Sequence, residues 1–249
     1  MNNSLLFNFF LLIAIILISG IILYLTPIKK YFLVKLLPSI HRLRNSIGLS
    51  IENGKGIHIS IGKANLANIN GAASLIGLET LDKILDQSVL SDNPPTITSG
   101  SGEISLMSQT KIENFLGDKS RIIDSSIPHA YLSGPTKMSF IAGAISPSSK
   151  RDLSSQIFVG NFGSEIGLAL HAANQRQHFT LSATDDLGGQ SVSYVYSKES
   201  LLGDHIFSIP GQLTQEKNNF VPTILLDISR WLIILIILLL ALLKLLGIV

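Results

Sequence analysis

The sequence contains no cysteine, and only 14% of its 249 residues are charged. The absence of cysteine excludes disulfides, thiolate metal sites and cysteine nucleophiles, and it fits an oxidising or a reducing compartment equally well. The hydrophobic fraction is 46% and the mean hydropathy is +0.42, which is too apolar for an ordinary soluble domain or a disordered tail. This composition indicates that part of the chain lies in lipid.

The apolar residues are concentrated at the two ends of the chain. Residues 5–25 contain no charged side chain, and a helix of this length, at about 1.5 Å per residue, crosses the roughly 30 Å hydrocarbon core. Residues 231–249 contain a single charge, Lys244, whose long side chain can reach the interface. We therefore predict transmembrane helices over 1–28 and, with an interfacial lead-in, over 223–249. No basic residue precedes the first helix, which disfavours a cleaved signal peptide.

Basic residues flank the predicted spans unevenly. None precedes the first span, whereas five follow it within the predicted interfacial segment 29–47: Lys29, Lys30, Lys35, Arg42 and Arg44. The positive-inside rule then places the central domain in the cytoplasm and both termini outside, in an inner or plasma membrane. Arg230 and Trp231 mark the interface at the start of the second span. We expect all seven side chains to lie near lipid headgroups.

The central domain has the opposite charge from this basic segment. Residues 45–230 contain 17 acidic residues against 13 basic ones, a formal charge of −4. A negative domain of this size does not favour the phosphate backbone of a nucleic acid. We therefore expect the lipid bilayer and other proteins, and no nucleic acid, as partners.

Strand and helix patterns alternate through residues 48–222. Leu49–Ile51 and Ile57–Ile61 predict two strands joined by a turn, and Ala72–Leu85 predicts a long helix. Later strands are predicted at 96–99, 130–132, 156–159, 178–182 and 192–196, with helices between most of them. This alternation predicts a Rossmann-like α/β domain with a mainly parallel sheet and helices on both faces, flanked by two transmembrane helices. Residues 118–155 also allow a loop or an antiparallel insertion.

Small polar residues follow several of the predicted strands. Ligands of open α/β sheets bind at the carboxyl ends of the strands, and helix N-termini there can hold a phosphate or carboxylate. The candidate ligand-binding residues are Ser99, Gly100, Ser101, Gly102, Asn161, Gly163, Ser164 and Asp185. Glu103 and Glu165 lie in the first turns of the following helices, where they would repel an anion. Ordinary helix capping is the favoured explanation of both turns.

No motif in the chain specifies a reaction. The Gly100-x-Gly102 pair is followed by Ser105 where a dinucleotide fingerprint needs its third glycine, and there is no P-loop or Gly-x-Ser-x-Gly elbow. The six histidines show no pair at metal-ligand spacing, and Asp185-Asp186 is explained better by capping than by a metal. We therefore expect no catalytic residue, metal or cofactor. A hydrolase built on Ser99, Ser101 or Ser164 is a minor alternative.

Six short motifs in the chain together resemble a family of bacterial membrane-anchored proteins that has no assigned activity. The motifs lie at 56–62, 70–78, 94–102, 142–144, 159–168 and 200–207, and the resemblance covers most of 48–245. It implies a Rossmann-like domain between N- and C-terminal transmembrane helices, and it transfers no catalytic residue.

These observations predict a non-catalytic, two-span membrane protein. Its cytoplasmic α/β domain would mediate self-assembly, giving a homo-oligomer, or docking to a partner membrane complex. Ser19 and Gly20 in the first span permit close helix approach, which fits this prediction. The alternative is a membrane-anchored sensor that binds a nucleotide or another small molecule at the carboxyl edge of the sheet.

Overall fold

A computed structural model describes most of the central region of the chain. The described residues are 37–68, 70–91, 93–117, 129–148, 152–214, 228–237 and 240. The chain divides into a compact unit, Leu36–Phe220, and a second unit made of Met1–Lys35 and Val221–Val249. The first unit contains the whole α/β domain.

The predicted transmembrane helices lie largely outside the described residues. This holds for 1–28 and for Lys29, Lys30 and Lys35, whereas 228–237 and 240 in the second predicted span are helical. In the parts of the chain listed above, no helix combines the length and the hydropathy needed to cross a bilayer. Trp231 is 73% exposed on its helix.

The α/β domain is built on a six-stranded sheet in which every neighbouring pair is parallel. The strands are β1 (Gly56–Ile61), β2 (Thr96–Ser99), β3 (Ala130–Leu132), β4 (Leu153–Gly160), β5 (Phe179–Thr184) and β6 (Glu199–Leu201). Their spatial order is β3-β2-β1-β4-β5-β6, which is the strand order of the doubly wound Rossmann fold. The predicted parallel α/β fold is therefore confirmed.

Helices cover both faces of this sheet. They are α1 (Pro38–Glu52), α2 (Gly71–Gln87), α3 (Gly102–Leu116), α4 (Lys137–Ser148), α5 (Ile166–Gln175), α6 (Leu187–Tyr196) and α7 (Ile209–Thr214). Short 3-10 turns lie at Ser88–Leu90 and Gly203–Ser208. Helices α1, α2, α3 and α7 pack on one face, and α4, α5 and α6 pack on the other.

The first face of the sheet is apolar. Ile57, Ile59 and Ile61 alternate along β1 and point to this face, where they meet Ile97 of β2 and Ile157 of β4 in the larger core. Successive strand residues point to opposite faces, so this alternation commits one face of the strand to the core. Burying each such side chain contributes roughly 1.5–3 kcal/mol.

The second face of the sheet is polar yet buried. His58, Ser60, Thr98 and Thr180 lie on it with no exposed surface. His58 Nε2 lies 2.9 Å from Thr98 Oγ1, and Thr98 Oγ1 donates to Ser60 Oγ at 3.0 Å. Buried polar groups need such partners, because an unmade hydrogen bond in the interior costs about 1–3 kcal/mol. The hydroxyls therefore bond along the sheet beneath the helices of this face.

The structure corrects two predicted strands. The predicted strand at Leu49–Ile51 is wrong, because α1 runs unbroken from Pro38 to Glu52 and buries Ile40, Leu43 and Ile47 at helical spacing. Proline stands at the start of this helix, where it costs no hydrogen bond, and does not interrupt the segment.

The predicted strand at Val192–Tyr196 is also wrong. This segment is the second half of α6, and the last strand is Glu199–Leu201. The predicted alternative of an antiparallel insertion in 118–155 is wrong for the described part of that stretch, since β3, α4 and the start of β4 form an ordinary parallel crossover.

Candidate functional site

The loops after β1 and β4 meet at the carboxyl edge of the sheet. These two strands are neighbours from which the chain turns in opposite directions, and ligands of doubly wound folds bind in the crevice between such strands. Here Lys63 N donates to Asn161 O at 3.1 Å, and Gly100 N donates to Gly62 O at 3.3 Å. A Cβ atom on Gly62 would overlap the backbone of Asn161. The bottom of this crevice is therefore filled by main chain.

Two carboxylates accept hydrogen bonds from backbone amides beside this crevice. Glu165 Oε1 accepts from Gly163 N at 3.2 Å, and Glu103 Oε2 accepts from Leu66 N at 3.1 Å. These are donors of the kind that would otherwise hold a phosphate. Glu165 is also nearly buried, at 8% exposure. An anion in this region would meet negative charge held at short range.

The other predicted ligand-binding residues are scattered along this edge. Asn161 Nδ2 donates to Asp185 Oδ1 at 2.7 Å, so these two side chains do meet. Ser99 Oγ donates to Ser101 O at 3.3 Å, while Gly102 begins α3 and Ser164 is exposed. The neighbouring Asp186 accepts from Gly189 N at 2.9 Å and caps α6, as predicted.

No nucleophile-and-base pair forms among these serines. In the described part of the domain, none of Ser99, Ser101 and Ser164 makes a hydrogen bond to a histidine or a carboxylate. Ser101 Oγ is buried at the start of α3 and has no hydrogen-bond partner there. Among the same described residues, no group of three histidine or acidic side chains could hold a metal ion.

An open groove lies at the opposite edge of the sheet, where the strands begin. It has a volume of about 420 Å³ and lies between α1 and the first residues of β4 and β5. We call it the amino-edge groove. Its lining contains three cations, Arg42, Lys55 and Lys198, and no acidic side chain.

Linked hydroxyl groups form one wall of the amino-edge groove. Ser154 Oγ donates to Ser50 Oγ at 2.6 Å, and Ser155 Oγ lies 2.6 Å from Ser46 Oγ and 3.0 Å from Ser50 Oγ. Ser50 and Ser155 are fully buried, whereas Ser46 and Ser154 are half-buried at the groove surface. These hydroxyls can reorient, because each can donate or accept.

Arg42 is already engaged with an acid outside the lining. Its guanidinium binds both carboxylate oxygens of Glu199, with a 2.7 Å bond from one terminal nitrogen to Oε2 and a bond from Nε to Oε1. Burial alone would raise the pKa of the Glu199 carboxyl, but hydrogen bonds from Arg42 and Ser39 hold this pKa below its usual value. The hydrogen bond to Glu199 also raises the pKa of Arg42. The uncompensated cations of the lining are therefore Lys55 and Lys198.

The imidazole of His178, which lies beside the groove, has a lowered pKa. Burial lowers the pKa of its imidazole, and the charges of Arg176, Lys198 and Lys55 lower it further. Gln156 Nε2 lies 2.9 Å from His178 Nδ1 and fixes the ring at the start of β5. Three cations thus act on one side chain beside the groove.

The backbone beside His178 is strained. Gln177 has φ 58°, and it is the one residue other than glycine with positive φ among those described. A left-handed conformation costs such a residue roughly 1–2 kcal/mol. Its carbonyl accepts from Lys198 Nζ at 3.1 Å, which holds that ammonium at the groove.

Sequence reasoning missed the amino-edge groove because its residues come from four distant segments. Arg42, which the sequence predicts at the membrane interface, lines this groove, and Arg44 is exposed on α1. Lys55 and Lys198 stand in no recognisable motif. One feature of the sequence could have pointed to this edge, because each of the two lysines lies one residue before a strand.

The chain matches no family model, and neither a curated protein nor a solved structure is significantly similar to it. The resemblance to a family of bacterial membrane-anchored proteins therefore stays a prediction. The features that bear on function are the geometry of the two sheet edges and the apolar sequence of the chain ends.

Proposed function

We propose that the chain is a non-catalytic integral membrane protein with two spans, whose cytoplasmic α/β domain assembles with other copies of itself. One observation carries this proposal. Leu37 N donates to Gln212 Oε1 at 2.8 Å, so the first described residue of the α/β domain touches its last helix. The two described ends of this domain, Leu37 and the helix that closes at Thr214, therefore lie close together.

Two domain ends that lie close together suit a domain that is tethered to one bilayer at both ends. Eight residues separate Thr214 from residue 223, where the predicted interfacial lead-in to the second span begins, and an extended chain covers up to about 3.5 Å per residue. This arrangement supports anchoring by both ends, and the apolar composition of those ends supports it independently.

The row of exposed side chains on α6 is the surface that best fits self-assembly. Leu187, Tyr194 and Val195 lie on one side of this helix, at 79%, 71% and 73% exposure. Tyrosine is enriched at interfaces, and the buried centres of interfaces are more apolar than the rest of the surface. Helix α6 contains no charged residue, so a second copy would meet no charge repulsion there. Confinement to a membrane also raises the effective concentration of copies.

The expected self-assembly is tested by the mass of the purified full chain in detergent, measured by light scattering. We expect an oligomer, and we expect the double variant Tyr194→Ser/Val195→Ser to shift toward monomer. The control changes another adjacent exposed pair on the opposite face of the sheet, Leu106→Ser/Met107→Ser on α3. A wild-type chain that stays monomeric in detergent and resists crosslinking in native membranes contradicts the proposal.

The expected orientation is tested by single-cysteine labelling, which the absence of native cysteine makes simple. A cysteine at the exposed Ser164 should react with a membrane-impermeant maleimide only after the cells are broken. A cysteine at Asn3 should react in intact cells. The reverse pattern, or labelling of both in intact cells, contradicts a cytoplasmic domain between two external termini.

The alternative of a sensor that binds at the carboxyl edge has weaker support. Main chain fills the bottom of that crevice, and Glu103 and Glu165 accept the backbone donors beside it. The serine-hydrolase alternative lacks a base next to Ser99, Ser101 or Ser164 among the described residues. Neither alternative has a geometric feature comparable to the contact between Leu37 and Gln212 at the two ends of the domain.

A further inference from the structure

We propose that the amino-edge groove binds a phosphate group carried by a small organic moiety. Lys55 and Lys198 would pair with the phosphate oxygens, and the hydroxyl of Ser46 would donate a hydrogen bond to them. Leu49 and Phe179, which also line the groove, would contact the organic part.

The charge of the groove matches a dianion. Arg42 is neutralised by Glu199, which leaves the two ammonium groups of Lys55 and Lys198 in a lining that contains no acid. A phosphate monoester carries close to two negative charges at neutral pH. Charge-assisted hydrogen bonds of this kind are about twice as strong as neutral ones. Burial lowers the pKa of the neighbouring His178, and the charges of Arg176, Lys198 and Lys55 lower it further.

The donors of the groove are held in place. Lys198 Nζ is bound to the carbonyl of Gln177, and the serine hydroxyls are bound to one another. The carbonyls at the end of α1 would repel an anion, but they already accept other donors. Lys55 N donates to Ser50 O at 2.8 Å, and Asn53 Nδ2 donates to Leu49 O at 2.8 Å.

The size and walls of the groove fit a ligand larger than a bare phosphate ion. A volume of about 420 Å³ is within the range of small-molecule sites. The exposed side chain of Leu49 and the half-buried ring of Phe179 provide apolar surface beside the cations. A soluble phosphate monoester and a lipid headgroup share this chemistry, so the experiment separates them.

The test is native mass spectrometry of the full chain released from detergent after incubation with one of three probes. The probes are glycerol 3-phosphate, phosphatidic acid and, as the neutral lipid, phosphatidylcholine. The double variant Lys55→Gln/Lys198→Gln should reduce the bound fraction at least about tenfold, the change expected from losing about 1.4 kcal/mol of binding free energy. Thermal unfolding of each variant confirms that it is folded.

The matched control removes two cations from the carboxyl edge, Lys63→Gln/Lys137→Gln, and should change binding less than about twofold. Retention of glycerol 3-phosphate that depends on Lys55 and Lys198 supports a soluble organic phosphate. Retention of phosphatidic acid alone, with the same dependence, supports a lipid headgroup. Binding of neither, equal retention of phosphatidylcholine, or an equal loss in the control overturns the proposal.

Discussion

The two edges of the sheet differ in how much open space the backbone leaves between neighbouring elements. At the carboxyl edge, the loops after β1 and β4 touch through their main chains, and glutamates accept the free amides. At the amino edge, a groove with two uncompensated lysines lies between α1 and the first residues of β4 and β5. The strand order is that of a nucleotide-binding fold, yet the open, positively charged space is at the other end. The fold alone therefore does not show where a ligand binds.

The largest expected effect comes from forcing the closed edge open. Gly62→Ala places a methyl group against the backbone of Asn161, and we expect it to lower the free energy of unfolding by about 3 kcal/mol. Gly102→Ala at the same edge is the control, because nothing lies within 4 Å of its Cβ position. We expect it to leave stability unchanged or to raise it by up to about 1 kcal/mol. Denaturant unfolding of the full chain measures both variants, and equal effects would break the comparison.

A smaller effect, of opposite sign, is expected beside the open edge. Gln177→Gly removes the strain of a left-handed residue, so we expect the free energy of unfolding to rise by up to about 1 kcal/mol. Gln175→Gly, two residues earlier at the end of α5, should lower it by about 1 kcal/mol. Thermal unfolding of the pair decides the matter. If both variants lose stability alike, the strain is absent.

The smallest expected effect is on the pH dependence of stability, through the imidazole of His178. The pKa of His178 is lowered from about 6.5 in the folded state, so below that pH the unfolded chain binds more protons. Stability should therefore fall as the pH decreases below about 6.5, and His178→Gln should flatten this part of the profile. Melting temperatures between about pH 5 and 8 test it. Parallel profiles for wild type and variant would contradict a lowered pKa of His178.

Much of the fold could be predicted because local patterns and the core agree. The helix over 71–87 and the strands at 96–99 and 130–132 follow directly from apolar periodicity and turn residues. The predictions failed where two periods overlap in a short stretch. Leu49 and Ile51 alternate as in a strand, yet Ile40, Leu43 and Ile47 continue a helical stripe through them. Only the packing of α1 on the sheet decides between the two.

The site was harder to predict than the fold for a physical reason. Glycine-rich turns attract attention at the carboxyl edge, but whether they are open depends on how closely two distant loops approach, as Gly62 and Asn161 do. The helix capping expected at the two glycine-rich turns is wrong, because neither Ser101 nor Glu165 caps its helix through its side chain. The Glu165 carboxylate instead accepts from Gly163 N, which lies before the helix. The groove at the other edge depends on one lysine before β1 and another before β6. No local sequence pattern joins them.

The most direct test of the difference between the edges is the reactivity of individual lysines. The full chain in detergent is acylated with and without glycerol 3-phosphate, and the modification of each lysine is quantified by mass spectrometry. We expect the ligand to protect Lys55 and Lys198 and to leave Lys63 at the carboxyl edge as reactive as before. Protection of Lys63, with Lys55 and Lys198 unchanged, would contradict the account.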